Sequence, residues 1–145
     1  MEKNLSARKG FRAGIHVLVQ KGNKYLLIKR ADSDLADPSC WDLPGGGIRY
    51  LEKPLDAALR EVKEEVGLRV RILKIIDIWA KLFEGDWSIE SLVEAEFVSG
   101  EVSLSKEHSD FKWVSKQEVI DIEPKAENLK ALFNLNESLV GGADF

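Results

Sequence analysis

At 145 residues, with 44% apolar and 32% charged residues, the chain suits one soluble globular domain with a real core. A net charge of −4 offers no basic face for duplex nucleic acid, and the single cysteine, Cys40, excludes an intrachain disulfide and points to a reducing compartment. No apolar run approaches the roughly 18 residues of a membrane helix and no signal-peptide core opens the sequence, so a cytoplasmic protein without membrane attachment is expected.

Residues 1–10 are polar and read as a loose arm. Residues 12–20 (RAGIHVLVQ) read as a strand in which Ile15, Val17 and Val19 alternate with Gly14, His16 and Leu18. A second strand, residues 25–30 (YLLIKR), follows the turn Lys21-Gly22-Asn23-Lys24, making a hairpin. His16, alone on its strand, is read as structural. Residues 31–39 form a polar connection, and residues 40–44 (CWDLP) run extended into Gly45-Gly46-Gly47. A glycine triplet by itself is a flexible turn. Immediately before a proline-started acidic helix it reads as the wall of a phosphate–metal site, where a ligand approaches main-chain groups closely.

That helix starts at Pro54, whose missing N–H suits the first helical position, and stops at Gly67, which suits a left-handed terminus. On a helical wheel Leu55, Ala58, Leu59, Val62 and Val66 form the expected buried stripe. Glu61, Glu64 and Glu65 fall on a neighbouring arc with Ala57, while Asp56, Arg60 and Lys63 take the remainder. Like charges at this spacing repel by about 0.2–0.5 kcal/mol per exposed pair, and no lysine interleaves on the arc. A hard divalent ion, Mg²⁺ or Mn²⁺, accounts for the cluster; a solvated acidic face is the alternative.

Downstream, residues 69–79 (RVRILKIIDIW) and 89–99 (IESLVEAEFVS) read as strands, and residues 80–88 (AKLFEGDWS) between them read as a turn at Glu84-Gly85-Asp86. A polar stretch, residues 101–110, carries Glu107 and His108; the strand 111–114 and a capped helical turn at 115–119 follow. The last helix is expected over residues 123–140, with Leu129, Leu132, Phe133, Leu135 and Leu139 as its apolar face and Gly141-Gly142 as its stop. Strands and helices interspersed without repeat or linker predict an α+β fold, a mixed sheet between helices, in one domain over residues 1–145.

Gly46, Glu52, Arg60-Glu61-Val62, Glu64-Glu65 and Gly67-Leu68 fit the Nudix box, G-x5-E-x7-R-E-U-x-E-E-x-G-U, at all nine fixed positions. The chain therefore resembles a Nudix hydrolase, and in particular a MutT-like member. The resemblance implies an α/β/α sandwich, a loop–helix–loop that binds Mg²⁺ or Mn²⁺, and hydrolysis of a nucleoside diphosphate linked to a group X. Carried over by position, Glu64 and Glu65 would be primary metal ligands, with the Gly45 carbonyl a third. Glu61 would be a further ligand or the general base. Arg60, placed with Glu61 and Glu64 in the catalytic set, is expected to brace Glu52. Gly46, Glu52 and Gly67 would be structural. Glu107, six residues before Trp113, has a spacing similar to that of the extra metal-binding acid of MutT-like members; a solvated loop glutamate is the alternative. His108 beside it would contact a phosphate if protonated, or be an ordinary exposed histidine.

No proline lies between Pro54 and Pro124, and the tyrosines are Tyr25 and Tyr50, so the patterns of ADP-ribose and dinucleoside-polyphosphate members are missing. A nucleoside triphosphate or modified nucleotide is the expected substrate. ADP-ribose, a nucleotide sugar, an isomerase role and a non-catalytic nucleotide sensor are the alternatives. Trp79, Trp87 or Phe83 would stack on a base; the same aromatics equally fit core or homodimer contacts.

Overall fold

The computed structural model describes residues 10–133. The arm expected before Gly10 lies outside the described residues, as do the Phe133 side chain and the helix positions from Leu135 to Gly142. In chain order the elements are β1 (Phe11–Lys21), β2 (Lys24–Arg30), β3 (Trp41–Asp42), β4 (Gly45–Gly47), α1 (Pro54–Val66), β5 (Arg69–Phe83), β6 (Asp86–Ser99) and β7 (His108–Val114). Two short helices, α2 (Lys116–Asp121) and α3 (Glu127–Lys130), and a 3₁₀ turn (Ala131–Phe133) follow. No helix among the described residues is long and apolar enough to cross a membrane.

One mixed sheet runs in the order β3-β2-β1-β6-β5, with β4 pairing β1 and β7 pairing β2. β1 and β6 are parallel from Phe11↔Trp87 to Gln20↔Glu96; the other pairs are antiparallel. β1 is buried on both faces, so its alternation serves two cores. Ile15, Val17 and Val19 pack with Ala57, Ala58, Val62 and Val66 of α1. Leu18 and Leu92 pack with Val119, Leu129 and Leu132 on the opposite face. Helices therefore cover both sides, as the α+β expectation required.

Four local expectations change. Gly45–Gly47 is a strand rather than a loop, paired as Gly14↔Gly47, Ile15↔Gly46 and His16↔Gly45. A Cβ at Gly45 would overlap the Ile15 carbonyl oxygen, so only glycine lets β4 approach β1 this closely. The turn expected over residues 80–88 is mostly ladder, pairing as far as Phe83↔Asp86. Its turn needs only Glu84 and Gly85, both at positive φ (49° and 85°), which matches the twist of a two-residue hairpin. The last helix begins at Glu127 instead of Glu123. Trp41 holds the chain before it extended, donating its N–H to the Pro124 carbonyl and accepting from Ala126 N–H, each at 2.8 Å.

The fourth change is the roll of α1. Leu55 and Leu59, placed in the buried stripe, are 43% and 40% exposed, whereas Ala57 and Glu65, placed on the acidic arc, are buried. The wheel fixed relative angles but not the facing of the helix: the sheet meets the arc centred between Glu65 and Ala58, leaving both leucines at its rim. Leu59→Gln should therefore leave unfolding free energy within about ±0.5 kcal/mol. Val62→Ala, which deletes two buried carbons at about 0.8 kcal/mol each and opens a cavity, should cost about 2 kcal/mol in denaturant titration.

Candidate active site

α1 starts without a side-chain cap at Lys53 and ends at Gly67, φ 72°, whose N–H returns to the Lys63 carbonyl at 3.0 Å. Its position against the glycine strand is set by Arg60. Arg60 Nε donates to Glu52 Oε2 at 2.7 Å and Nη2 to Glu52 Oε1 at 2.9 Å. Nη2 also donates to the Gly47 carbonyl at 2.9 Å, and Nη1 to Glu61 Oε1 at 2.8 Å and Glu64 Oε2 at 3.2 Å. Glu52 is held down to about 2 by the Arg60 bonds and by Arg49 N–H. Arg49 Nη2 adds a 3.4 Å contact to Glu64. The acidic arc is therefore not without cations, as the wheel suggested; Arg60 and Arg49 reach over it from outside.

A Cβ at Gly46 would come within 2.7 Å of the Glu61 carboxylate, so this glycine makes room for that acid. Glu65, with its side chain 7% exposed, accepts the Gly45 N–H at 2.6 Å. Val17 N–H bonds the Pro44 carbonyl across the His16↔Gly45 pair, which makes that pair of the non-hydrogen-bonded type. Both main-chain groups of Gly45 therefore turn out of this ladder, and the N–H meets Glu65.

The loop that follows β6 is tied to the end of α1 by Ser103 N–H to the Val66 carbonyl (2.9 Å) and Ser105 N–H to the Glu65 carbonyl (3.0 Å). Ala31 N–H to the Glu107 carbonyl (2.9 Å) fixes its far side. This brings Glu107 and His108 to Glu65: each offers one ligand atom, and the three atoms lie within 4.8 Å of one another. His108 Nδ1 stands 3.5 Å from Glu65 Oε2 and has no hydrogen-bond partner among the described residues. Burial, joined by Arg30, lowers His108 to about 4, so at neutral pH it is a neutral, buried imidazole. It is neither exposed nor protonated towards phosphate, as the sequence reading allowed.

Burial also raises Glu65 to about 8; the Gly45 N–H opposes this, and Glu61, Glu107 and Asp42 add to it. A buried acid that holds its proton for want of a counter-charge, beside a second carboxylate and an unpartnered neutral imidazole, fits a divalent cation. Glu61 and the half-exposed Glu64 face an adjoining hollow of about 390 Å³ that Arg60, Ser105 and Lys106 also line. Glu65 and Glu107 line both that hollow and a larger cleft of about 1040 Å³.

The NUDIX domain profile matches residues 10–134, nearly all of the chain. The chain belongs to the Nudix family. Among curated proteins it is similar to the nucleoside triphosphatase NudI of Escherichia fergusonii, 29% identical over 126 residues that cover 79% of this chain and 89% of the relative. NudI of Escherichia coli is 28% identical over the same length. Its fold is that of the MutT protein from Methanosarcina mazei Go1, with a TM-score of 0.74 at 23% identity over 90% of this chain and 99% of the other. It is a Nudix hydrolase.

The Nudix helix accounts for one end of the cleft. The other end is a polar floor that the sequence reading missed: His16, Asp42, Ser88 and Glu90 are buried, and Lys81 and Asn128 stand over them. The available signal was Ser88 and Glu90 at inward positions of a strand that continues with Leu92. Asp42 is tied by Arg30 Nη1 and by Leu43 N–H at 2.8 and 2.7 Å. Of the proposed stacking residues, Trp79 lies against His16 at 5.9 Å and Phe83 lines the cleft wall, while Trp87 does not line it.

Two tests follow from this geometry. Arg60→Ala should lower the melting temperature by several degrees and activity with it, because one side chain ties together strand, loop and helix. An unchanged melting curve with activity abolished would place Arg60 on the reacting phosphates instead. For Glu65, the folded chain keeps a proton that the unfolded chain releases, so its stabilising contribution is complete below about 4.5 and lost as pH rises through about 8. In chelator, the melting-temperature advantage of Glu65→Gln over wild type should widen from pH 5 to pH 8.5; a flat difference would refute the raised carboxyl.

Proposed function

We propose that this Nudix hydrolase is a MutT-like pyrophosphohydrolase that requires a divalent metal and cleaves the diphosphate linkage of a nucleoside triphosphate or modified nucleotide. The observation that carries the reading is the convergence of Glu65, Glu107 and the unpartnered His108 Nδ1 beneath the Gly45 strand, with Glu61 and Glu64 alongside. The NudI relatives, named nucleoside triphosphatases, supply the substrate class. A cytoplasmic single domain acting on small nucleotides, with no duplex nucleic acid or membrane as partner, is consistent with the composition.

Glu65, Glu107, the Gly45 carbonyl, Glu64 and Glu61 would hold Mg²⁺ or Mn²⁺. When bound, the ion neutralises phosphate oxygens and acidifies a water. Glu61, anchored by Arg60 and packed on Gly46, suits a fixed ligand. Glu64, half exposed and held by contacts of 3.2 and 3.4 Å, has the freedom and solvent access to take a proton from water and pass it on. Arg60 positions both acids. Catalysis on this scaffold is mainly positioning and charge stabilisation, as diphosphate chemistry demands. A sensor that only binds nucleotide has no use for the full acid set, which is present here.

The deciding experiment is release of phosphate or pyrophosphate from a nucleotide panel with Mg²⁺ or Mn²⁺, with and without chelator. Glu64→Gln should lower turnover about 10²–10⁴-fold with the fold intact. Glu107→Gln should raise the Mg²⁺ concentration for half-maximal rate, and added Mg²⁺ should recover part of the loss. Wild-type turnover in Glu64→Gln at limiting Mg²⁺, or a metal dependence in Glu107→Gln that overlays wild type, would remove that residue from the site.

A further inference from the structure

The cleft floor is built by three strands in phase. In the parallel ladder Gly14 sits beside Glu90, and in the antiparallel one Trp79 faces Glu90 and Lys81 faces Ser88, so these side chains share one sheet face with His16. The Glu90 and His16 side chains are 8% and 7% exposed. Glu90 Oε1 stands 3.6 Å from His16 Nε2 and 3.5 Å from Lys81 Nζ, and Lys81 Nζ donates to Asn128 Oδ1 at 3.1 Å. Glu90 Oε2 and His16 Nε2 have no hydrogen-bond partner among the described residues. A Cβ at Gly14 would overlap Glu90 Oε2, so the free oxygen lies over the bare backbone of Gly14, where both line the cleft.

A buried carboxylate with an unused oxygen is costly, and an aliphatic residue such as Leu92, next on the same face, would pack without that cost. The arrangement is explained by a ligand that completes it. Burial alone would push the Glu90 carboxyl up, but His16 and Lys81 outweigh it and hold it below its ordinary value; the free oxygen is an acceptor. Lys81 Nζ is a donor, and with Asn128 Oδ1 taken by Lys81 the Asn128 amide nitrogen is a second. Leu82, Phe83 and Ile89 give the same cleft apolar walls. A sugar, polar all round, would bury hydroxyls against them. A flat heterocycle has apolar faces and a polar edge only.

We propose that Glu90 and Lys81 form the specificity-determining site of this enzyme, reading the Watson–Crick edge of a nucleobase through one N–H donated to the Glu90 carboxylate and one adjacent acceptor facing Lys81. This rests on the reading of the protein as a nucleotide hydrolase. The same cleft runs to Gly45 and Glu65, and His16 pairs with Gly45 across β1 and β4, so a base on this floor directs its phosphates towards the acidic end.

The test is equilibrium titration of the full chain, in Mg²⁺, with the four common nucleoside monophosphates. Each is compared with a counterpart methylated on its Watson–Crick N–H: N1 of guanine, N3 of uracil, and the dimethylated amino groups of adenine and cytosine. A monophosphate has no diphosphate linkage, so binding is read without turnover. At least one base should bind, and methylation should weaken it about tenfold or more. In Glu90→Met that ratio should fall to within about twofold. Should Glu90→Met fail to fold, Glu90→Met with Lys81→Met removes both charges together and is read in the same way. Undetectable binding of every monophosphate, equal affinity for both members of each pair, or a ratio unchanged in the variant overturns the proposal. Discriminating binding without hydrolysis of any triphosphate would leave the base site standing and overturn the hydrolase reading.

Discussion

All five N–H groups of the Arg60 guanidinium are engaged by five oxygens: two of Glu52, one each of Glu61 and Glu64, and the Gly47 carbonyl. The planar fork makes this a single rigid node, which a lysine with its point charge would not reproduce. The rest of the loop of residues 48–53 is held by Ile48, which packs on the core and donates its N–H to the Ala13 carbonyl at 2.8 Å, and by a main-chain and a side-chain bond between Glu52 and Arg49 at 3.0 Å, with Leu51 at φ 62°. The node sets the distance from the glycine strand to α1, and so whether the Gly45 N–H meets Glu65.

The site is asymmetric in how its charges are managed. At the box, carboxylates outnumber their fixed partners, and the structure responds by leaving Glu65 protonated at neutral pH. At the floor, Glu90 is matched by Lys81 and His16 and stays ionised. The first arrangement suits exchange of a proton for a cation; the second suits a permanent hydrogen-bond acceptor. β1 separates the two, with His16 on one flank of Gly45 and Glu65 on the other.

Much of this was legible because the box is local. Pro54, Gly67 and the acid spacing are consequences of one helix, and strand positions followed from apolar periodicity. What failed was whatever depends on a second element. The facing of α1 required knowing where the sheet lay, so Leu55 and Leu59 were placed inside. The start of the last helix depends on Trp41, more than eighty residues upstream, gripping Pro124 and Ala126. The floor draws on β1, β3, β5, β6 and α3, so no spacing in the sequence marks it; His16 looks like an isolated histidine because Glu90 is its neighbour only through the parallel ladder. His108 looked exposed because nothing in the polar stretch around it shows that Ser103 and Ser105 bind the loop to α1.

The placement of the acids also argues against a stabilising role for them. Glu61, Glu64 and Glu65 occupy the last two turns of α1, where the aligned peptide dipoles leave partial negative charge and favour cations. Stability would place lysine there and acids near Pro54. Asp56 in the first turn and Lys63 in the last follow that rule, but three further acids crowd the unfavourable end. In the last turn, where Glu64 and Glu65 lie, an acid at an exposed position costs about 0.3–1 kcal/mol of dipole repulsion, before the mutual repulsion of the three is counted. Arg60 and Arg49 offset part of this through Glu61 and Glu64, but neither bonds Glu65. The residue left without a cationic partner is thus the most buried of the three, and it is the one that meets Glu107 and His108. A helix end that concentrates negative charge, carboxylates and dipole together, around one cation-sized group of ligand atoms is built for what binds there rather than for the fold.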